Sequence, residues 1–203
     1  ECAPVFQRHR IDFCCRGFLS IEVACREAGV HTDALVEELS RAIAVRGGKP
    51  ADDLRAMPTA ALIAHIVSTH HEYLRKALPF VQPLAAKVSR VHGDHNPRLR
   101  DVEQVVNGLV DALEPHLRAE ETSLFPTLTA AQPDSGRAAR ELATMYEEHL
   151  AVGDLLKRLR IAAEDFAPPE WACNSYRALF SELEQLEGDV LRHVHLENHV
   201  LMP

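Results

Sequence analysis

Two short motifs carry the residues best suited to chemistry: His116-Leu-Arg-Ala-Glu120 and His193-Val-His-Leu-Glu197. In each, an imidazole and a carboxylate stand four residues apart. On an α-helix that spacing brings both side chains to one face, within reach of a single metal centre. Each motif is followed by Leu and Pro at the same offsets, Leu124 and Pro126 in the first, Leu201 and Pro203 in the second. The interval between the copies is constant, since 193 − 116 = 77 and 197 − 120 = 77. One helix upstream of each motif stands a further His, His71 and His149, with 149 − 71 = 78. The repeat therefore spans a helix pair, and each half offers one His followed by His-x3-Glu.

A single His on an apolar helix face is more often a core residue bonded to a neighbour than a ligand. Four of them on four helices, with two Glu, describe a dinuclear metal site projected into the core of a bundle. A buried Glu is costly unless it is paired or bound to metal, and no Lys or Arg shares these seams. The donors are imidazole and carboxylate without thiolate, which suits iron best and also admits manganese or zinc. Two ions, each held by two His and both bridged by Glu120 and Glu197, keep open positions for an oxo group or a small molecule. The remaining eight His are expected at the surface or behind the ligands. His70, His195 and His199 lie off the seams, His65, His92 and His95 lie near one end of the bundle or in its turn, and His9 and His31 belong to the N-terminal stretch.

The elements that position these residues follow from periodicity. Hydrophobic content is 46% and aromatic content only 5%. Ala, Leu, Glu and Arg dominate without long β-branched runs, so the expected fold is all-α, an antiparallel four-helix bundle with a small N-terminal helical domain. The first bundle helix opens at Pro58-Thr59 with a seam of Ile63, Val67, His71, Leu74, Leu78 and Val81, and Pro79 and Pro83 are expected to kink it or end it early. A turn over His92–Pro97 leads to a second helix with Val102, Val105, Leu109, Leu113, His116, Glu120 and Leu124 inward. Pro115 is expected to bend or bulge this helix at the site. A loop at Gln132–Gly136 precedes the third seam of Leu142, Met145, His149, Val152, Leu156 and Leu159. The fourth helix is expected to begin at Phe166-Ala-Pro-Pro-Glu-Trp171 and carries Leu179, Leu183, Leu186, Val190, His193, Glu197 and Val200.

Ahead of the bundle, residues 1–48 read as a separate helical unit. Ser20 caps a helix that Gly29 ends, Thr32 and Asp33 start another that Gly47-Gly48 ends, and 49–58 is a linker. Cys14 and Cys15 are adjacent; a bond between them would strain the peptide that joins them, so they are expected as thiols, either packed as small apolar residues or made reactive by Arg10, Arg16 and a nearby helix terminus.

The bundle resembles a hemerythrin-like di-iron domain, and Asp12-Phe-Cys-Cys-Arg-Gly17 ahead of it resembles the N-terminal domain of the iron–sulfur cluster repair di-iron family. The resemblance covers nearly the whole chain and assigns metal ligation to His71, His116, Glu120, His149, His193 and Glu197. It matches the family's vicinal cysteines to Cys14 and Cys15 as redox or iron-relay thiols. One departure is Arg16, where the family usually has Gly. Oxygen-carrying hemerythrins use a further His that has no counterpart here. The resemblance implies two non-haem iron ions, oxo- and carboxylate-bridged, and damaged iron–sulfur proteins as partners. It also implies repair after nitric oxide or oxidative stress, by supplying iron or by binding or reducing nitric oxide. A sensor or store of oxygen, nitric oxide or iron, and a di-iron oxidase, are the alternative uses of the same ligands.

The formal charge of −8 opposes a surface built to neutralise phosphates, so no nucleic-acid partner is expected. No segment approaches the roughly 20 apolar residues needed to cross a bilayer. Five cysteines without a Cys-x-x-Cys pair point to a reducing compartment, the cytoplasm. A monomer or homodimer is expected.

Overall fold

A computed structural model describes residues 2–45, 54–132 and 134–202, and these are mostly helical, with no strand among the described residues. Gly47, Gly48 and the first half of the expected linker lie outside them. The N-terminal unit comprises α1 (Ala3–Arg8), α2 (Ile21–Ala28) and α3 (Thr32–Val45). The Ser20 hydroxyl accepts from the Val23 N–H at the start of α2, and Gly29 closes it at φ 69°, a left-handed conformation that glycine adopts without a Cβ penalty. Val5, Ile11, Cys25, Leu35 and Leu39 form the core of this unit.

The first bundle helix is α4 (Thr59–Ile66) continued through a π turn, Val67–His71, into α5 (Glu72–His92). The second is α6 (Arg98–Ala119), a π turn over Glu120–Leu124 and α7 (Phe125–Thr129). The third is α8 (Ser135–Ala162), opened by Asp134, whose carboxylate accepts from the Arg137 N–H. The fourth is α9 (Asn174–Leu196), ending in a π turn, Glu197–Leu201. Helix α5 packs on α6 and α9, and α8 closes the ring against α6 and α9.

Several expectations are corrected. Pro79 and Pro83 do not end the helix, because α5 runs through both to His92. Burial of Leu74, Leu78, Val81, Ala85 and Val88 along this stretch outweighs the lost backbone bonds. The fourth helix starts at Asn174 and not at Phe166. The Pro168-Pro169 pair interrupts the chain, and Arg177 holds the non-helical segment by donating to the carbonyls of Pro169, Glu170 and Ala172. The bulge in the second helix begins at Glu120, five residues beyond Pro115, and equivalent bulges occur at Val67 and Glu197. Pro115 is therefore not their common cause. On the first helix the π turn rotates the face that precedes it, so Leu62 and Ile66 are buried there, and the expected Ile63 and Val67 are only half-buried.

Two apolar layers result. A large one runs from Leu74, Leu113, Val152 and Val190 to the far end of the bundle, and a small one contains Leu62, Ile66, Leu124, Phe125, Met145 and Leu196. The polar residues singled out above fall between them.

Candidate metal centre

His71, His116, Glu120, His149, His193 and Glu197 come together in that polar layer, each at most 3% exposed. Each of the three π turns includes one of them: His71 ends the first, and Glu120 and Glu197 begin the others. A π turn adds a residue to the helical repeat and re-aims the side chains around it, a device found often at functional sites.

Their donor atoms sort into two sets. His71, His193, Glu120 and Glu197 offer four atoms within 4.8 Å of one another, and so do His116, His149, Glu120 and Glu197. Both carboxylates belong to both sets. Glu120 Oε1 lies 3.4 Å from His116 Nε2, and its Oε2 lies 3.4 Å from His71 Nε2. Glu197 Oε1 lies 2.8 Å from His193 Nε2, and its Oε2 lies 3.2 Å from His149 Nε2. Within the pairs, the Nε2 atoms of His71 and His193 are 3.1 Å apart and those of His116 and His149 are 3.2 Å apart.

The arrangement fits cations better than protons. Both oxygens of Glu120, one oxygen of Glu197 and Nδ1 of His193 are buried without a hydrogen bond, a cost of about 1–3 kcal/mol for each such group. Two nitrogens about 2.1 Å from one ion and at right angles about it stand about 3.0 Å apart, close to the observed separations. Burial, reinforced by the charge of Glu197, pushes the Glu120 carboxyl up to about 8. Burial opposes charge on Glu197 as well, but His193, His149 and His71 outweigh it and hold that carboxyl well below its ordinary range. His71 is pushed up to about 10, because the carboxylates of Glu120, Glu197 and Glu121 overcome the burial of its charged form. Burial depresses His193 and His116. The layer is electronegative and gathers positive charge.

The outward ring nitrogens are held in place. His71 Nδ1 donates to Glu121 at 2.7 Å, His116 Nδ1 to Glu148 at 2.7 Å, and His149 Nδ1 to Asn198 at 2.9 Å. These bonds fix the tautomer that turns Nε2 inward. His193 instead stacks on His70 with ring centroids 5.6 Å apart, and His70 Nδ1 bonds Asp189 at 2.9 Å.

Residues 62–203 match the hemerythrin HHE cation binding domain, and residues 1–43 match a domain of unknown function (DUF542). The chain is 33% identical over 199 residues to the iron-sulfur cluster repair protein YtfE of Yersinia pseudotuberculosis serotype O:1b (strain IP 31758), covering 98% of this chain and 88% of that one. The protein of the same name from Yersinia pestis (strain Pestoides F) is 32% identical over 199 residues, with the same coverage. The chain belongs to this hemerythrin HHE repair family. Its bundle is thus a cation-binding domain, and the buried His and Glu sets are the residues in it that suit a metal.

Glu121, Glu148 and Asn198 were missed in the sequence. Their only signal is position, each directly beside a candidate ligand in the chain. The three off-seam His are not idle. His70 is buried against His193, while His195 bonds the Phe13 carbonyl at 3.1 Å and His199 the Cys14 carbonyl at 2.8 Å.

Cys14 and Cys15 are free and buried, with Sγ atoms 3.4 Å apart. The hydrogen bond between them divides their behaviour: it raises the Cys14 thiol, which burial raises further, and lowers Cys15. Arg10 and Arg16 are not the agents expected, since Arg10 pairs with Asp165 and Arg16 with Glu27. The thiols sit against the bundle, where Cys15 Sγ lies 3.5 Å from the His149 carbonyl. Gly153 leaves room on this side; a Cβ there would lie 3.7 Å from Cys15 Sγ. Gly17 is required for the docking, because a Cβ would meet the Phe13 carbonyl at 2.7 Å and His199 at 2.8 Å.

Proposed function

We propose that His71, His116, Glu120, His149, His193 and Glu197 hold two iron ions, and that the protein repairs iron–sulfur clusters damaged by nitric oxide or oxidants. The observation that carries this reading is the sharing of Glu120 and Glu197 between two buried His pairs. The relatives named for iron–sulfur cluster repair, similar along almost the whole chain, support the repair half of it. Iron bound there would supply a redox-active and exchangeable metal. The protein's own part is to hold the imidazoles ready through Glu121, Glu148 and Asn198, and to keep bulk water away with the two apolar layers. A cleft of about 220 Å³, lined by Glu120, Ser123, Arg140, Glu141 and Glu148 among others, gives small species a way to the layer.

Cys14 and Cys15 are the thiols we assign to relaying iron, since they lie beside the helix turn that carries His149. In this reading residues 1–48 are the thiol-bearing unit, 49–58 the linker and 59–203 the metal-binding bundle. Free cysteines fit a reducing compartment, and we place the protein in the cytoplasm. No helix among the described residues is long and apolar enough to cross a membrane.

The test is metal analysis followed by a repair assay. The purified protein should contain close to two iron per chain and absorb in the near ultraviolet. Its diferrous form should react with nitric oxide and restore activity to a nitric-oxide-damaged iron–sulfur enzyme. Stoichiometric zinc without iron after growth in iron-replete medium defeats the di-iron assignment. A stable, reversible oxygen adduct with no restoration leaves a carrier or sensor instead.

A further inference from the structure

Asp12, Cys14 and Cys15 form a third cluster of potential ligands, outside the bundle layer, with one donor atom from each lying within 4.8 Å of the others. Cys14 Sγ is 3.4 Å from Cys15 Sγ and 3.3 Å from Asp12 Oδ1. Two sulfurs about 2.3 Å from one tetrahedral ion stand about 3.8 Å apart, and a sulfur and a carboxylate oxygen about 3.6 Å apart. The two separations made by Cys14 Sγ already lie within about half an ångström of those values, and the third donor pair, Cys15 with Asp12, lies within 4.8 Å.

The loop that presents them is fixed from both sides. Asp12 Oδ1 accepts from the backbone N–H groups of Cys14, Cys15 and Arg16 at 3.2, 2.9 and 3.4 Å. Asn198 and His199 donate to the Cys14 carbonyl at 3.1 and 2.8 Å, and the Tyr146 hydroxyl donates to the Cys15 carbonyl at 3.3 Å. Asn198 is also the residue that holds His149 Nδ1, so one side chain spans the loop and the bundle layer. Such bracing is what a coordinating set requires.

Asp12 and Cys14 also line a cleft of about 370 Å³ between the N-terminal unit and α8 and α9, within the size range of small-molecule sites. Its walls include Ile11, Leu156 and Leu191, and Lys157 borders it. Lys157 Nζ lies 3.8 Å from Asp12 and 3.6 Å from Asp154, too far for a strong bond to either, so it yields readily to a cation.

We propose that Asp12, Cys14 and Cys15 constitute a second metal site, separate from the bundle centre, that takes one thiophilic divalent cation and leaves a coordination position open to an exogenous donor in the cleft. Paired thiolates with one carboxylate select zinc-like or ferrous ions over magnesium or calcium. Binding releases the two thiol protons to solvent and moves no electron. The site's role as a stopping point for iron leaving the bundle rests on the iron-supply reading above; its capacity to bind a cation does not.

The test is a cobalt(II) titration of the full-length, iron-loaded protein under anaerobic conditions, read as a difference spectrum with iron measured in the same samples. A thiolate-to-cobalt charge-transfer band should saturate at one equivalent and vanish in Cys14→Ser and in Cys15→Ser. Asp12→Asn keeps an oxygen for the three N–H groups and should weaken cobalt binding about tenfold, and Cys173→Ser should bind as the parent does. Circular dichroism verifies that each variant is folded. Absence of the band in the parent, its survival in both cysteine variants, or its loss in Cys173→Ser overturns the proposal. A full cobalt band on protein that carries no iron would instead defeat the di-iron reading and leave this site standing.

Discussion

Glu121 is the sharpest probe of how the centre is held. Its Oε1 accepts from His71 Nδ1 at 2.7 Å and from Arg75 Nη2 at 2.8 Å, so it anchors the ring from behind without touching the ligand layer. Its side chain is 27% exposed, and truncation leaves no closed cavity, so the fold should tolerate Glu121→Ala. His71 itself is fully buried and would keep an unpaired Nδ1–H. The penalty for such a group is about 1–3 kcal/mol, and losing the partner behind a metal-bound His typically costs about 10–100-fold in metal affinity, or about 1.4–2.7 kcal/mol. The loss should fall first on the set containing His71 and His193, so Glu121→Ala should release one iron at a chelator concentration about 10–100-fold lower than the parent requires. The second iron should follow later. Glu121→Gln keeps an acceptor without the charge and should fall between the two. Competition with a chromogenic iron chelator gives the affinities, and circular dichroism verifies the helix content. A folded Glu121→Ala protein that holds both irons as tightly as the parent would refute the claim that this bond organises the centre.

Three further outcomes are expected. His116→Ala or Glu120→Ala should lose iron, whereas His195→Ala should keep it and only loosen the N-terminal unit; iron analysis showing the reverse would undo the ligand assignment. In the metal-free protein, Glu120 and His71 bind protons more tightly folded than unfolded, with pKa values near 8 and 10 against ordinary values of 4.5 and 6.5. That stability is full below the ordinary values and is lost as pH rises, so between pH 6.5 and 10 the metal-free melting temperature should fall while the extra stability conferred by metal grows; a metal-free melting temperature that climbs through this window contradicts the electrostatics. Glu187 is buried between Arg160 and Gln7, and Glu187→Ala leaves the Arg160 guanidinium, only 13% exposed, without its main partner. Denaturant unfolding should show a loss of about 3–5 kcal/mol, and a change under 1 kcal/mol would mean that this pair does not secure the N-terminal unit.

The six candidate ligands were legible in the sequence because helical geometry converts spacing into facing direction. His and Glu four apart share a face, and the interval of 77 residues repeats that face in the second half. Most seam positions were legible for the same reason, as were the Ser20 and Gly29 caps, whose local chemistry needs no distant partner. The start of the fourth helix was misjudged because Pro168-Pro169 can open a helix or interrupt the chain, and the contacts of Arg177 with the Pro169, Glu170 and Ala172 carbonyls lie beyond local propensity. The π turns were not legible either, since an extra residue in a helical turn leaves no mark in composition and persists only where packing favours the shifted face, as it does at Ile66 and His71. Tertiary structure alone placed Glu121, Glu148 and Asn198 behind the ligands, because each bonds a His on a different helix or turn. It also brought Asp12, Cys14 and Cys15 against α8. The sequence by itself determined which residues share a helix face; which faces meet, and what stands behind them, follows from long-range packing that no local spacing encodes.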